Sequence, residues 1–118
     1  TMKRQRGGRI INIGSISSFK PRKDQAVYSA SKAALVSLSR SMALEERAYG
    51  IAAGCLLPGL VDVAPESAHP ERGDKLDEPY IEPKAIADAA LAIAQLPSSV
   101  NMLETTVMPS RQLLIGRG

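Results

Sequence analysis

Tyr28-Ser29-Ala30-Ser31-Lys32 places a phenol and an ammonium four residues apart. On a helix, positions i and i+4 share a face. A cation beside a phenol favours phenolate and lowers the tyrosine pKa. A tyrosine tuned in this way serves as a general acid/base, a role typically worth about 10²–10⁴-fold in rate. A third candidate, Ser15, lies thirteen residues before Tyr28, just past the short apolar run Arg9-Ile-Ile-Asn-Ile13. In open α/β sheets ligands bind outside the carboxyl ends of the strands. A hydroxyl there donates to a substrate oxygen as charge develops on it. Ser17 and Ser18 compete with Ser15 for that role, and the plainer use of any of them is a capping serine at a strand end.

These side chains need elements to hold them. Arg9–Ile13 is β-branched and nearly continuous in apolarity, the pattern of a strand buried on both faces of a parallel sheet. Residues 1–6 resemble the frayed end of a helix, stopped by Gly7-Gly8. From about Ala26 to Tyr49 there is no Gly or Pro, and Leu35, Leu38 and Met42 recur at helical spacing. A long helix is predicted there, ended by Gly50 at C′, with Glu45-Glu46-Arg47 on a solvated face. Ile51–Leu57 is predicted as a second buried strand, closed by Pro58-Gly59. The polar segment Asp62–Pro83 is a long loop, and loops of that length are often functional. Pro83 opens another helix, where its missing N–H costs nothing. Ala85, Ile86, Ala89, Ala90, Ile93 and Leu96 form the apolar face of that helix, and Pro97 stops it. Met102–Met108 is a third strand, and a polar tail runs to Gly118. Strands joined by helices imply parallel pairing. The predicted fold is α/β, the C-terminal portion of a Rossmann-like doubly wound parallel sheet with about three strands. Residues 1–118 form one partial domain, and strand end, helix start and Pro-Gly turn converge on one crevice.

Composition narrows the function classes. The net charge of +3 comes with small basic groups at Lys3, Arg4, Arg6, Arg9 and at Lys20, Arg22, Lys23. Neither group has interleaved aromatics for base stacking, so no nucleic-acid role is expected and the cations are assigned to solvated surface. No run approaches the ~18 apolar residues of a membrane span, and the apolar stretch after the basic start is too short for an export signal. A cytoplasmic location and no membrane partner are the resulting expectations. Cys55 lies in an apolar run, as a buried inert thiol does. No Cys/His cluster has metal-ligand spacing. His69 stands alone in the polar loop beside Pro70 and is assigned to the surface, as are Asp62 in its loop and Asp88 on its helix.

Taken together, Asn12-Ile-Gly-Ser15, Tyr28 with Lys32, the long helix and the strand ending in Pro58-Gly59 resemble the C-terminal half of a short-chain dehydrogenase/reductase, over nearly the whole chain. The resemblance implies an NADP- or NAD-dependent oxidoreductase, NADP favoured, acting on a small alcohol or carbonyl compound. It implies Tyr28 as proton donor and acceptor and Ser15 as the group that orients the carbonyl. Lys32 would lower the Tyr28 pKa and bind the nicotinamide ribose. The Pro58–Val61 turn, with Gly59, would pack against the nicotinamide, the Val61 backbone holding its carboxamide. Glu82-Pro-Lys-Ala-Ile-Ala-Asp-Ala, Leu96-Pro-Ser-Ser-Val-Asn and Val107-Met-Pro-Ser are similar to members that oxidise serine, allo-threonine and other small 3-hydroxy acids, and these usually prefer NADP. In the family the long helix packs on its counterpart in a second subunit, so a homo-oligomer, dimer or tetramer, is expected.

The chain departs from the family pattern at three places. The glycine-rich phosphate loop, the Asn-Asn-Ala-Gly segment and the active-site Asn are absent and are expected upstream of Thr1, so little dinucleotide affinity is expected of these residues alone. Ala53-Gly54 stand where a Val-Asn pair is usual, and Val63 where a Thr commonly follows the turn. Two other classes compete. A serine hydrolase would need Gly-x-Ser-x-Gly, which Ile13-Gly-Ser15-Ile-Ser17 does not supply, with His69 as base. An inactive fragment or pseudoenzyme would keep only a self-association face on the alanine-rich helix.

Overall fold

The computed structural model describes residues 1–63 and 80–112. The order is α1 (Met2–Gln5), β1 (Gly8–Ile13), a 3-10 turn (Ile16–Ser18), α2 (Ala26–Glu46), a 3-10 turn (Arg47–Tyr49), β2 (Ile51–Pro58), α3 (Pro83–Ala94) and β3 (Glu104–Val107). The three strands form one parallel sheet in the order β1-β2-β3. Gly8 pairs with Ile51 through to Ile13 with Leu56, and Cys55 with Glu104 through to Pro58 with Val107. The alternation of strands and helices is thus α/β and Rossmann-like, as the sequence implies.

Central β2 carries the core, because it alone is paired on both sides. Ala53, Cys55 and Leu57 share one face by strand alternation, and Val36 of α2 packs with Cys55 and Leu57. Leu56 points the other way and is also fully buried, so both faces of β2 are covered. β1 differs from expectation. Arg9 to Asn12 are half-buried and both Gly8 and Ile13 are exposed, because β1 pairs only with β2 among the described residues and α3 covers it only in part.

The ends follow local chemistry. Gly50, at φ 72°, takes the left-handed turn after α2 and its 3-10 extension. Any side chain there would also strike the Arg6 carbonyl oxygen, 2.8 Å from an added Cβ. Pro83 is in the first turn of α3. Its helix buries Ile93 and half-buries Ile86, Ala89 and Ala90, whereas Ala85 is exposed. α3 ends at Ala94, before Pro97 is reached, and β3 is shorter than the predicted Met102–Met108. α1 stops because Arg6, not a glycine, adopts the left-handed conformation.

Two polar contacts clamp the layers. Asn12 Nδ2 donates to Ser39 Oγ (2.9 Å), and Ser39 Oγ donates to the Leu35 carbonyl (2.8 Å), which ties β1 to α2. Ser39 is fully buried, so this chain keeps a hydroxyl satisfied where an unpaired one would be costly. Arg9 was expected on a solvated surface. Instead its Nη2 reaches the carbonyls of Val100, Pro97 and Leu96 at 2.8, 3.1 and 3.3 Å, beyond the last turn of α3. Lys3 pairs with Glu46 at 3.0 Å and lies over the Tyr49 ring with Arg6 nearby. The basic N-terminus is therefore partly used inside the fold, and Glu46 is half-buried rather than on an open face. Asp88 is on the helix surface, paired with Lys84 at 2.6 Å.

Candidate active site

One cleft of about 500 Å³ opens beyond the carboxyl ends of β1 and β2. Ser15, Tyr28, Lys32, Pro58, Gly59 and Val61 all line it. The volume falls in the usual range for small-molecule sites.

Ser15 is held by the chain around it. Gly14 N–H donates to the Leu56 carbonyl (2.7 Å), so β1 pairing continues one residue past the strand. A Cβ on Gly14 would lie 2.6 Å from Leu57 Cδ2 and 2.7 Å from Cys55 Sγ, so only glycine lets the chain turn here against the core. Ser15 is buried, and its Oγ accepts the Ser17 N–H at 3.1 Å, capping the 3-10 turn. The capping use and the cleft-lining position therefore coincide in one side chain. Accepting from Ser17 leaves the hydroxyl hydrogen of Ser15 as a donor. Ser18 Oγ donates to the Ser15 carbonyl (2.6 Å) and does not line the cleft. Ser17 is buried beside it and does line the cleft.

Tyr28 and Lys32 sit on the first turns of α2. The loop into that helix passes through Asp24 at φ 63°, a conformation that Asp tolerates better than most residues. Tyr28 is about half exposed, at 46%. Lys32 Nζ lies 5.8 Å from the Tyr28 ring centroid and donates to the Ile13 carbonyl at 2.9 Å. One of three ammonium donors is thereby committed to the end of β1, which fixes the cation between strand end and phenol.

The third wall is the turn after β2. Gly59 N–H donates to the Val107 carbonyl (2.8 Å) and Leu60 N–H to Gln112 Oε1 (2.9 Å). Val61 forms an isolated parallel bridge with Ile81: Asp62 N–H donates to the Ile81 carbonyl (2.9 Å) and Ile81 N–H to the Leu60 carbonyl (3.0 Å). Flanking groups that bond on one side leave the N–H and C=O of Val61 itself facing the other way. Asp62, expected on the loop surface, is half-buried at this bridge. Val63 lines the cleft and is largely exposed. At Gly54, where the family pattern has Asn, an added Cβ would strike the Met102 carbonyl oxygen, while the amide of Asn101 donates to the neighbouring Ala53 carbonyl at 2.8 Å.

Sequence reasoning missed three residues. Arg22 and Gln25 line the cleft from the loop and start of α2, and Gln112 lies buried behind the turn. Arg22 and Gln25 precede Tyr28 closely enough that proximity was a usable signal. Gln112 carried none. Of the expected loop, residues 64–79, including His69, lie outside the described residues, as do residues 113–118 of the tail. Among the described residues no group of three or more His, Cys, Asp or Glu is placed to hold a metal ion. No described helix is long and apolar enough to cross a membrane.

A doubly wound sheet with a serine at one strand end and Tyr-x-x-x-Lys on the next helix defines a class, and sequence comparison agrees with it. The short chain dehydrogenase family model matches residues 1–73, more than half the chain, and the chain belongs to that family. It is 40% identical over 109 residues to an uncharacterised oxidoreductase of Staphylococcus saprophyticus, covering 92% of this chain and 45% of that one. A Staphylococcus aureus oxidoreductase is 37% identical, with 92% and 46% covered. Among solved structures, serine dehydrogenase from Escherichia coli superposes with a TM-score of 0.76 at 27% identity, over 94% of this chain and 44% of that one. Serine dehydrogenase complexed with NADP+ gives 0.83 at 26%, over 99% and 50%. Acetoin dehydrogenase from Salmonella typhimurium gives 0.74 at 27%, over 91% and 46%. The chain spans about half the length of the curated relatives it matches.

Proposed function

We propose that this chain supplies the proton-transfer half of a nicotinamide-dependent alcohol/carbonyl oxidoreductase. The carrying observation is that Ser15, Tyr28, Lys32 and the Pro58–Val61 turn line one cleft although they come from separate elements. The residues fit a nicotinamide: the Val61 backbone groups face away from the Ile81 bridge, and Pro58, Gly59 and Val61 line the same cleft as Tyr28 and Lys32. When bound, NADP or NAD, NADP favoured, supplies or accepts the hydride. Tyr28 Oη exchanges the proton with the substrate oxygen. The Ser15 hydroxyl donates to that same oxygen and stabilises charge developing on it. Lys32, anchored on the Ile13 carbonyl, keeps a cation beside the phenol and has two further donors for a ribose hydroxyl.

Small hydroxy acids are the proposed substrates. No Asp or Glu lines the cleft among the described residues, so its lining does not repel a carboxylate. The likeness to serine dehydrogenase points the same way. The test is NADPH oxidation by the full-length protein over small keto acids and neutral ketones, with Tyr28→Phe beside wild type. Turnover of keto acids is expected, with kcat lowered about 10²-fold or more in the variant. A near-wild-type rate for Tyr28→Phe would refute its assignment.

A second reading has its own support. On α2, Val27 (86%) and Leu38 (51%) are exposed and helical spacing puts them on one side, which suits self-association with or without catalysis. Sedimentation of the full-length protein at micromolar concentration tests it, and a monomer throughout would remove it.

A further inference from the structure

Gln112 is the buried polar residue that neither the catalytic constellation nor the sequence explains. It is 6% exposed, and it lies 52 residues from Leu60, whose backbone N–H it accepts at 2.9 Å. Because the Leu60 N–H is a donor, the carbonyl end of the Gln112 amide must face it, and the orientation of the side chain is settled by the bond itself. The packing is equally specific. An added Cβ on Gly59 would fall on Gln112 Oε1 and lie 2.6 Å from Met108 Cβ, so the glycine leaves the room that the amide fills.

Three other backbone groups that flank Val61 have partners. Gly59 N–H goes to Val107, Asp62 N–H to Ile81, and the Leu60 carbonyl receives Ile81 N–H. These bonds hold the turn from β3 and from the segment before α3. Leu60 N–H is the donor immediately before Val61 that no strand or bridge holds, and Gln112 supplies its acceptor. We infer that Gln112 is a positioning residue for the cofactor turn: its side-chain carbonyl holds the Gly59–Leu60 peptide, the one that leads into the Val61 bridge, and so supports the turn that presents the Val61 backbone groups to the cleft. This rests on the proposed use of that turn for a nicotinamide. Gln112 touches no reacting atom, so its effect belongs to cofactor affinity and not to proton transfer.

The test uses the full-length protein with two substitutions of similar size. Gln112→Met fills the same space without an acceptor, and Gln112→Glu keeps an acceptor oxygen. By the worth of one hydrogen bond to a buried backbone donor, Gln112→Met is expected to weaken NADPH binding by calorimetry roughly 5- to 30-fold. Its KM for the cofactor should rise similarly, with kcat at saturating cofactor changed less than about twofold. Gln112→Glu should restore most of the affinity, which a mere packing role would not predict. Amide hydrogen exchange supplies a readout independent of any ligand: the Leu60 N–H should exchange slowly in the wild type and fast in Gln112→Met. A rapidly exchanging Leu60 N–H in the wild type overturns the inference even if the Met variant fails to fold. So does unchanged affinity in a folded Gln112→Met, or loss of kcat with affinity intact. If the wild type binds no nicotinamide dinucleotide, the proposed function fails, while the exchange data still decide whether Gln112 holds the turn.

Discussion

Replacing Ser15 by Ala separates the cap that its oxygen forms from the catalytic role proposed for its hydroxyl. The Oγ accepts the Ser17 N–H at 3.1 Å in a buried setting and lines the cleft. Its removal leaves the Ser17 donor unsatisfied, a loss of about 1–2 kcal/mol typical of a deleted cap. It also deletes the donor proposed to meet the substrate oxygen, a change worth about 10²–10³ in kcat, or roughly 2.7–4 kcal/mol of transition-state stabilisation. The two effects are read by different assays. Chemical denaturation of Ser15→Ala should report the cap loss. Steady-state turnover, well below the midpoint of unfolding, should report the larger catalytic loss. Ser17→Ala is the control, since Ser17 lines the same cleft while its backbone N–H stays capped by Ser15. It should keep kcat within about threefold. A Ser15→Ala enzyme with near-wild-type kcat, or a Ser17→Ala enzyme with the greater loss, would refute the assignment of the hydroxyl.

Gly14→Ala should destabilise the fold by about 1–3 kcal/mol, because the new methyl meets Leu57 Cδ2 at 2.6 Å and Cys55 Sγ at 2.7 Å in a packed core; an unchanged denaturation midpoint would contradict that geometry. The hydrogen bond to Glu46 holds the Lys3 ammonium above the ordinary lysine pKa of 10.5. A raised folded-state value means the contribution is fully present below 10.5 and is lost as pH rises through the raised value. Lys3→Met should therefore show a small drop in Tm near neutral pH that closes in strongly alkaline buffer, and a pH-independent difference would exclude the ion pair as its cause.

Much of the fold was legible because local rules and tertiary demands agreed. The Gly- and Pro-free stretch from Ala26 became α2, Gly50 took its left-handed cap, and Pro83 opened α3. Element ends were less legible. Arg6 took a conformation that the sequence assigned to Gly7-Gly8, and α3 ended before Pro97. Burial was read correctly for β2 and too deeply for β1, since apolar content records what a strand can bury and not which neighbours it has.

The opening constellation followed from sequence for a simple reason. Tyr28 and Lys32 belong to one helix, and the turn geometry of a helix brings i and i+4 together without help. Ser15 and Pro58-Gly59 were placed by their positions at strand ends, which parallel pairing brings to the same edge. What the tertiary structure alone decided depends on long-range contacts. It turned Arg9 from a surface cation into an anchor beyond the end of α3. It joined Asn12 to Ser39, gave the cleft Arg22 and Gln25, and brought Gln112 behind a turn 52 residues away. No periodicity or motif encodes such pairs, because the partner of a buried polar group is set by how the layers meet.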